Sequence, residues 1–240
     1  MSERTRFWMI TALALLAAGV TASLGTWQLA RAAQKEALQA SVASQTQLPE
    51  LDGATLLGPL DPRSLINRRI TLTGQWLADK TVFLDNRPMN AKVGFYVVTP
   101  LQLQGSHLSV LVQRGWVARN FEDRLRVPHI DAPTGQVQVS GLIAPPPAKL
   151  YELGAAQPGP IRQNLDVAAY SAETGLTLAP VSVQQLGGFS EQLLREWPKP
   201  GLGIDKHYGY AFQWFGLSAL LAILYVWFQI VRRFIIRPPV

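Results

Sequence analysis

His207 stands in the run Lys206–Tyr210, with Tyr208, Tyr210 and Trp214 beside it. An imidazole among aromatic rings can ligate a metal held in a flat apolar cofactor, the rings supplying faces and edges for packing. The bland alternative is an interfacial histidine hydrogen-bonded to lipid or backbone. Trp27, Arg31 and Lys35 fall at i, i+4 and i+8 and so share one face of a helix. They read either as an aromatic and cationic anchor at lipid headgroups or as cations that hold an anionic ligand. His129 and Asp131, in Pro128–Pro133, are flanked by prolines and read as a solvated turn rather than part of a catalytic triad.

Other chemistry is missing. The sequence holds no cysteine, and its three methionines, Met1, Met9 and Met89, are scattered. Disulfide scaffolds, zinc ribbons, CxxCH haem attachment and thiolate copper carriers are thereby excluded. GxSxG, HExxH, GxxxxGK[ST] and GxGxxG are all lacking, and His107, His129 and His207 are far apart, so the sequence points away from an enzyme. The net charge is +6, from 22 basic and 16 acidic residues. Arg4, Arg6, Arg232, Arg233 and Arg237 lie in the tails; without these five and Glu3, 17 basic residues face 15 acidic ones. A near-neutral middle argues against a nucleic-acid partner, which needs clustered charge on the domain itself.

The elements that must position these residues begin with two apolar runs. Only 16% of the 240 residues are charged, below the usual quarter. Phe7–Leu24 carries no charge, and continued to Trp27 it makes about 31 Å of helix, the thickness of a bilayer core. Thr21-Ala22-Ser23 resembles a signal-peptidase site, but helical sequence runs straight past it, which favours an uncleaved anchor. Tyr210–Val231 is a stronger span, with Tyr208, Tyr210 and Trp214 at one end and Tyr225, Trp227 and Phe234 at the other. Ala14, Ala18 and Ala22 offer a small-residue face on which the second span could pack, or one that simply faces lipid. Arginines in both short tails place both termini in the cytoplasm and the bulk of the chain outside it.

Between the spans, Trp27–Val42 reads as helix, and then the period changes to two. Ile70, Leu72 and Trp76 alternate with polar residues, as do Val137 and Val139; Val110 and Val112, and Val181 and Val183, form further pairs. Phe95–Thr99 reads as a denser strand ended by Pro100, and Asp166–Thr174 as one short helix with an aspartate at its start. The proline-rich stretch Ala144–Pro160 reads as loop. The expected organisation is a tail over 1–6, a transmembrane helix over 7–27, an extracytoplasmic β-rich domain with a leading helix over 28–206, a second transmembrane helix over 207–231 and a tail over 232–240. The fold class is that of an α+β membrane protein, its two transmembrane helices flanking an antiparallel sheet or small barrel.

These residues also carry a resemblance. Leu24–Leu38 resembles the post-anchor motif of the Surfeit locus protein one family, the Shy-type assembly factors of cytochrome c oxidase. Val93–Leu101, Ser109–Asn120 and Val139–Ile143 are similar to its central strands, and His207–Leu217 to its signature at the second span. Gln113 stands where members commonly carry Asn, and Ala118 where Pro is usual. The resemblance implies a chaperone of oxidase biogenesis in the bacterial inner (plasma) membrane, with the main domain periplasmic. Haem a is the implied transient cofactor, and the implied partners are the large catalytic subunit, haem a synthase and the lipid bilayer. His207 is then the candidate haem-iron ligand, and Tyr210, Trp214, Trp27 and Arg31 are candidate cofactor-binding residues at signature positions. Arg114, read as a buried strand arginine, could pair a propionate or a neighbouring aspartate; Gln28, Gly115 and Trp116 are signature positions without an assigned role. The alternative is a cofactor-free membrane scaffold that holds oxidase subunits together.

Overall fold

The computed structural model describes residues 2–120, 127–151, 159–188, 192–198 and 203–236. The chain divides into two compact units, Met1–Ser41 with Pro200–Val240, and Val42–Lys199.

The second unit is built on one eight-stranded sheet. Its strands are β1 (Leu51–Asp52), β2 (Arg69–Trp76), β3 (Val82–Met89), β4 (Lys92–Leu103), β5 (Leu108–Ala118), β6 (Gln136–Ala144), β7 (Ile161–Arg162) and β8 (Thr177–Gln185). They lie in the order β1-β2-β6-β8-β5-β4-β3-β7, and the end of β2 pairs again with β4 at Gly74–Trp76, drawing the sheet round at one corner. The expected antiparallel sheet or small barrel is met in part. The sheet is mixed, because β1 pairs β2, β7 pairs β3 and β8 pairs β5 in parallel, and its return from β4 to β2 is a three-pair corner rather than the full ladder of a closed barrel. Period-two alternation fixes which face a side chain takes and carries no signal of strand direction.

The alternating residues do form the core. Ile70, Leu72, Trp76, Val110, Val112, Val139, Val181 and Val183 pack into one cluster, with Val137 partly buried against it. The strand β5 is buried on both faces, since Leu111 joins Val82, Leu84, Val98, Leu165 and Tyr170 in a second cluster on the other side. Helix α2 (Val167–Thr174) supplies Tyr170 to that cluster. As expected, Asp166 caps it, accepting hydrogen bonds from the amides of Ala168 and Ala169, while Gly175 closes it in the left-handed region. Pro100 does not end its strand. It sits within β4, between the last β3 pairing at Val98 and the first β2 pairing at Leu101, a place where a missing amide hydrogen is tolerated. Within Ala144–Pro160, Pro145–Tyr151 form no regular element and residues 152–158 lie outside the described residues.

The Arg114-Gly115-Trp116 run has a structural explanation. Val97 pairs Gly115 while Val98 pairs Gln113, so Arg114 is the extra residue of a β-bulge. Its guanidinium is buried over the Trp76 ring at 4.8 Å and donates to the Asp131 carbonyl at 2.6 Å. The segment Leu193–Arg195 then clasps the run. The Trp116 amide donates to the Leu194 carbonyl (2.7 Å), Leu194 returns the bond (2.9 Å), and Arg195 Nε donates to the Arg114 carbonyl (2.8 Å). A Cβ on Gly115 would stand 2.7 Å from Leu193 Cβ and 2.8 Å from the Leu194 carbonyl, so only glycine admits the clasp. Trp116 Nε1 donates to the Arg87 carbonyl at 2.8 Å, and Gln113 Nε2 to Ser182 Oγ at 2.8 Å, joining the parallel strands β5 and β8.

The first unit holds α1 (Glu3–Gln47) as far as Ser41 and α3 (Ile204–Tyr225), the latter continuing through Val226–Ile236 in wider π geometry. Glu3–Gln47 and Ile204–Arg233 are long and apolar enough to cross a membrane, and their apolar windows are 6% and 0% buried, unlike the core helices of a water-soluble fold.

Gly115→Ala is expected to destabilise the sheet unit by about 1–3 kcal/mol through the forced separation from Leu193, read as a lower thermal midpoint. A second expectation concerns alkali. Burial pushes the Tyr170 hydroxyl from 10.0 up to about 12, and it donates to the Lys80 carbonyl. Its neutral form is favoured by folding, so the contribution is complete below pH 10 and is lost as pH rises toward 12, where the unfolded chain releases the proton first. Denaturant titrations should show stability falling over that window, a fall absent in Tyr170→Phe.

Candidate functional site

Within the helix-pair unit, α1 and α3 run antiparallel. Thr11 Oγ1 lies 3.0 Å from Tyr225 Oη, Ser218 Oγ donates to the Ala18 carbonyl at 3.0 Å, and Arg233 stands over the Phe7 ring at 5.2 Å. The seam is lined on α1 by Thr11, Ala14, Ala18, Thr21, Gly25, Gln28, Ala32 and Lys35, all buried or half-buried and spaced alternately by three and four. On α3 the matching set is Ile204, His207, Ala211, Trp214, Ser218, Leu221 and Tyr225. This is the heptad spacing of a coiled-coil seam. The small face expected at Ala14, Ala18 and Ala22 therefore continues through Thr21 and Gly25, because a seam at this spacing drifts off a strict four-residue row. Gly25 admits the Phe215 ring so closely that a Cβ there would stand 2.8 Å from it.

This packing delivers His207 to α1. Its Nδ1 lies 2.6 Å from Gln28 Oε1, and the neighbouring Tyr208 hydroxyl donates to Glu36 Oε1 at 2.9 Å. Arg31 and Lys35 are close enough to act on the imidazole electrostatically. Trp214 occupies the seam two turns along from His207. Trp27 and Tyr210 are each 52% exposed and lie off the seam; Arg31 is exposed as well, stacked over Trp27 at 5.8 Å and bonded to Gln34. Those three offer an accessible aromatic and cationic surface on the same helix pair. Arg114 belongs to the sheet unit and is 1% exposed, with its guanidinium engaged as described. His129 and Asp131 meet at 3.3 Å with both side chains well exposed, as a solvated turn would have them.

Among the described residues no three His, Asp or Glu side chains gather to hold a bare metal ion. A metal brought in a macrocycle needs far less from the protein, and a single imidazole suffices. His207 uses one ring nitrogen on Gln28, which leaves the other for such a metal. Gln28 and Glu36 are the residues to which sequence reasoning gave no part in the site. Gln28 does carry a signal in retrospect, as a long polar side chain on a helix face that is made of Ala, Gly and Thr from Thr11 to Ala32.

Comparison with known proteins gives a consistent result. The model of the SURF1 family matches residues 15–219. A SURF1-like protein of Rickettsia prowazekii (strain Madrid E) is 27% identical over 218 residues, covering 86% of this chain and 84% of the relative. A SURF1-like protein of Drosophila melanogaster is 28% identical over 91% of this chain and 77% of its own length. The cytochrome oxidase assembly protein SHY1 of Saccharomyces cerevisiae (strain ATCC 204508 / S288c) is 26% identical over 126 residues, 51% of this chain and 32% of the yeast protein.

The seam can be tested directly because the chain has no cysteine of its own. An Ala18→Cys/Ser218→Cys pair should form an intramolecular disulfide on mild oxidation, seen as a mobility shift on non-reducing gels. Adding Gly25→Leu should cut the yield several-fold, since the larger side chain drives Phe215 and its helix away.

Proposed function

This chain belongs to the SURF1 family, and from that premise we propose that it serves cytochrome oxidase assembly as a membrane-anchored carrier that binds haem a and hands it to the large catalytic subunit. The observation that carries the reading is the placement of His207 on Gln28 across a pair of helices apolar enough to span a bilayer. In this reading the arginine-bearing ends lie in the cytoplasm and the sheet unit in the periplasm of a bacterial inner membrane. Haem a synthase is the natural source of the cargo.

Haem a would bring a flat apolar ring, an iron that takes nitrogen ligands and anionic propionates. His207 would hold the iron through a ring nitrogen. Trp27, Tyr208 and Tyr210 are half-exposed and give the ring aromatic surface to lie on, while Arg31 and Lys35 meet negative charge at the same end of the helices. Arg114 is left out of the proposed site, because its guanidinium is spent on Asp131 and Trp76 inside the sheet unit. The task is transfer rather than catalysis. One imidazole on iron holds less tightly than two, so a single ligand suits a protein that must release what it carries.

The test is the pigment of the protein purified from cells that make haem a, beside a His207→Ala variant. About one haem a per chain, lost in the variant, is the expected result. A colourless wild type whose apoprotein takes up no haem a would favour the cofactor-free scaffold.

A further inference from the structure

Gln28 lies on the α1 seam between Gly25 and Ala32, two of the buried residues of that helix. A carboxamide in such a place costs stability unless its hydrogen bonds are made. Here Oε1 lies 2.6 Å from Nδ1 of His207. A carboxamide oxygen only accepts, so the hydrogen between them belongs to Nδ1. A neutral imidazole has one ring hydrogen, and with Nδ1 holding it the lone pair is on Nε2. Free neutral histidine prefers the opposite arrangement, with the hydrogen on Nε2 and no lone pair there for a metal.

We infer that Gln28 is a positioning residue, whose carboxamide oxygen holds His207 in the Nδ1–H form and so reserves Nε2 for a metal. A ligating histidine needs an acceptor on its second nitrogen, which fixes the tautomer, orients the ring and raises its basicity. The acceptor is commonly on a neighbouring loop or strand. In this chain it comes from the other helix of the pair, 179 residues away in sequence, so separating the helices would remove the tautomer preference and the ligand geometry together. The inference deepens the carrier reading and rests on it for the identity of the metal, while the tautomer stands by itself.

The experiment uses the full chain in detergent micelles with ring-15N-labelled histidine, above the pH at which imidazole titrates. There are three histidines, and His207→Ala identifies the signals of interest. The wild type should show a protonated Nδ1 and an unprotonated Nε2 at His207. Gln28→Glu keeps the acceptor and should keep that pattern; Gln28→Leu should reverse it toward the Nε2–H form. Ferric haem b, used as the probe, should bind about 10–100-fold more weakly to Gln28→Leu, with Gln28→Glu restoring affinity. A wild-type His207 protonated on Nε2, a pattern unchanged in Gln28→Leu, or loss of the Nδ1–H form in both variants would each overturn the assignment. Failure of every form to bind haem would instead sink the carrier reading and leave the role of Gln28 to the tautomer signals.

Discussion

Two helices hold their side chains within hydrogen-bonding range along a whole seam only when the residues between the backbones are small. On α1 those residues are Ala14, Ala18, Thr21, Gly25 and Ala32, and opposite them α3 carries larger ones, Trp214, Leu221 and Tyr225. The division of labour matters at Gly25, where the Phe215 ring occupies the room a Cβ would need. Because the seam is this close, a bond as short as 2.6 Å forms between Gln28 and His207, and Tyr208 reaches Glu36 beside it. Widen the seam and the candidate ligand loses its orienting partner before any chemistry is considered.

The sheet unit solves a different packing problem with related means. A strand buried on both faces, as β5 is, has little freedom to satisfy a large polar side chain. The bulge at Arg114 turns the guanidinium onto Trp76 and toward the Asp131 carbonyl, and Gly115 lets Leu193–Arg195 close over the backbone. The run Arg114–Trp116 is thus a structural lock: each of its three residues is accounted for by burial, by close approach or by the Trp116–Arg87 bond.

The helix pair combines features with different demands on the solvent. Its apolar sides carry exposed Leu13, Leu16, Phe212, Ile223 and Trp227, which water would penalise and lipid would not. Its His207 end gathers imidazole, carboxamide, phenol and the cations Arg31 and Lys35. Under the proposed function, a molecule with a flat apolar body and an anionic edge would meet that sequence of environments, and one nitrogen ligand would give a grip that can be released.

Much of this could be read from the residues alone. Charge and apolar length marked both long helices, period-two alternation marked the core faces of β2, β5, β6 and β8, and Asp166 marked the start of α2, because each signal is local and is set by backbone geometry. His207 with its aromatic neighbours was legible for the same reason. Strand direction, the bulge at Arg114 and the passage of β4 through Pro100 were not, since they depend on which strands meet and where pairing stops. Gln28 was visible as a position without a role. Its role depends on the distance between two helices at opposite ends of the chain, and only their packing determines that.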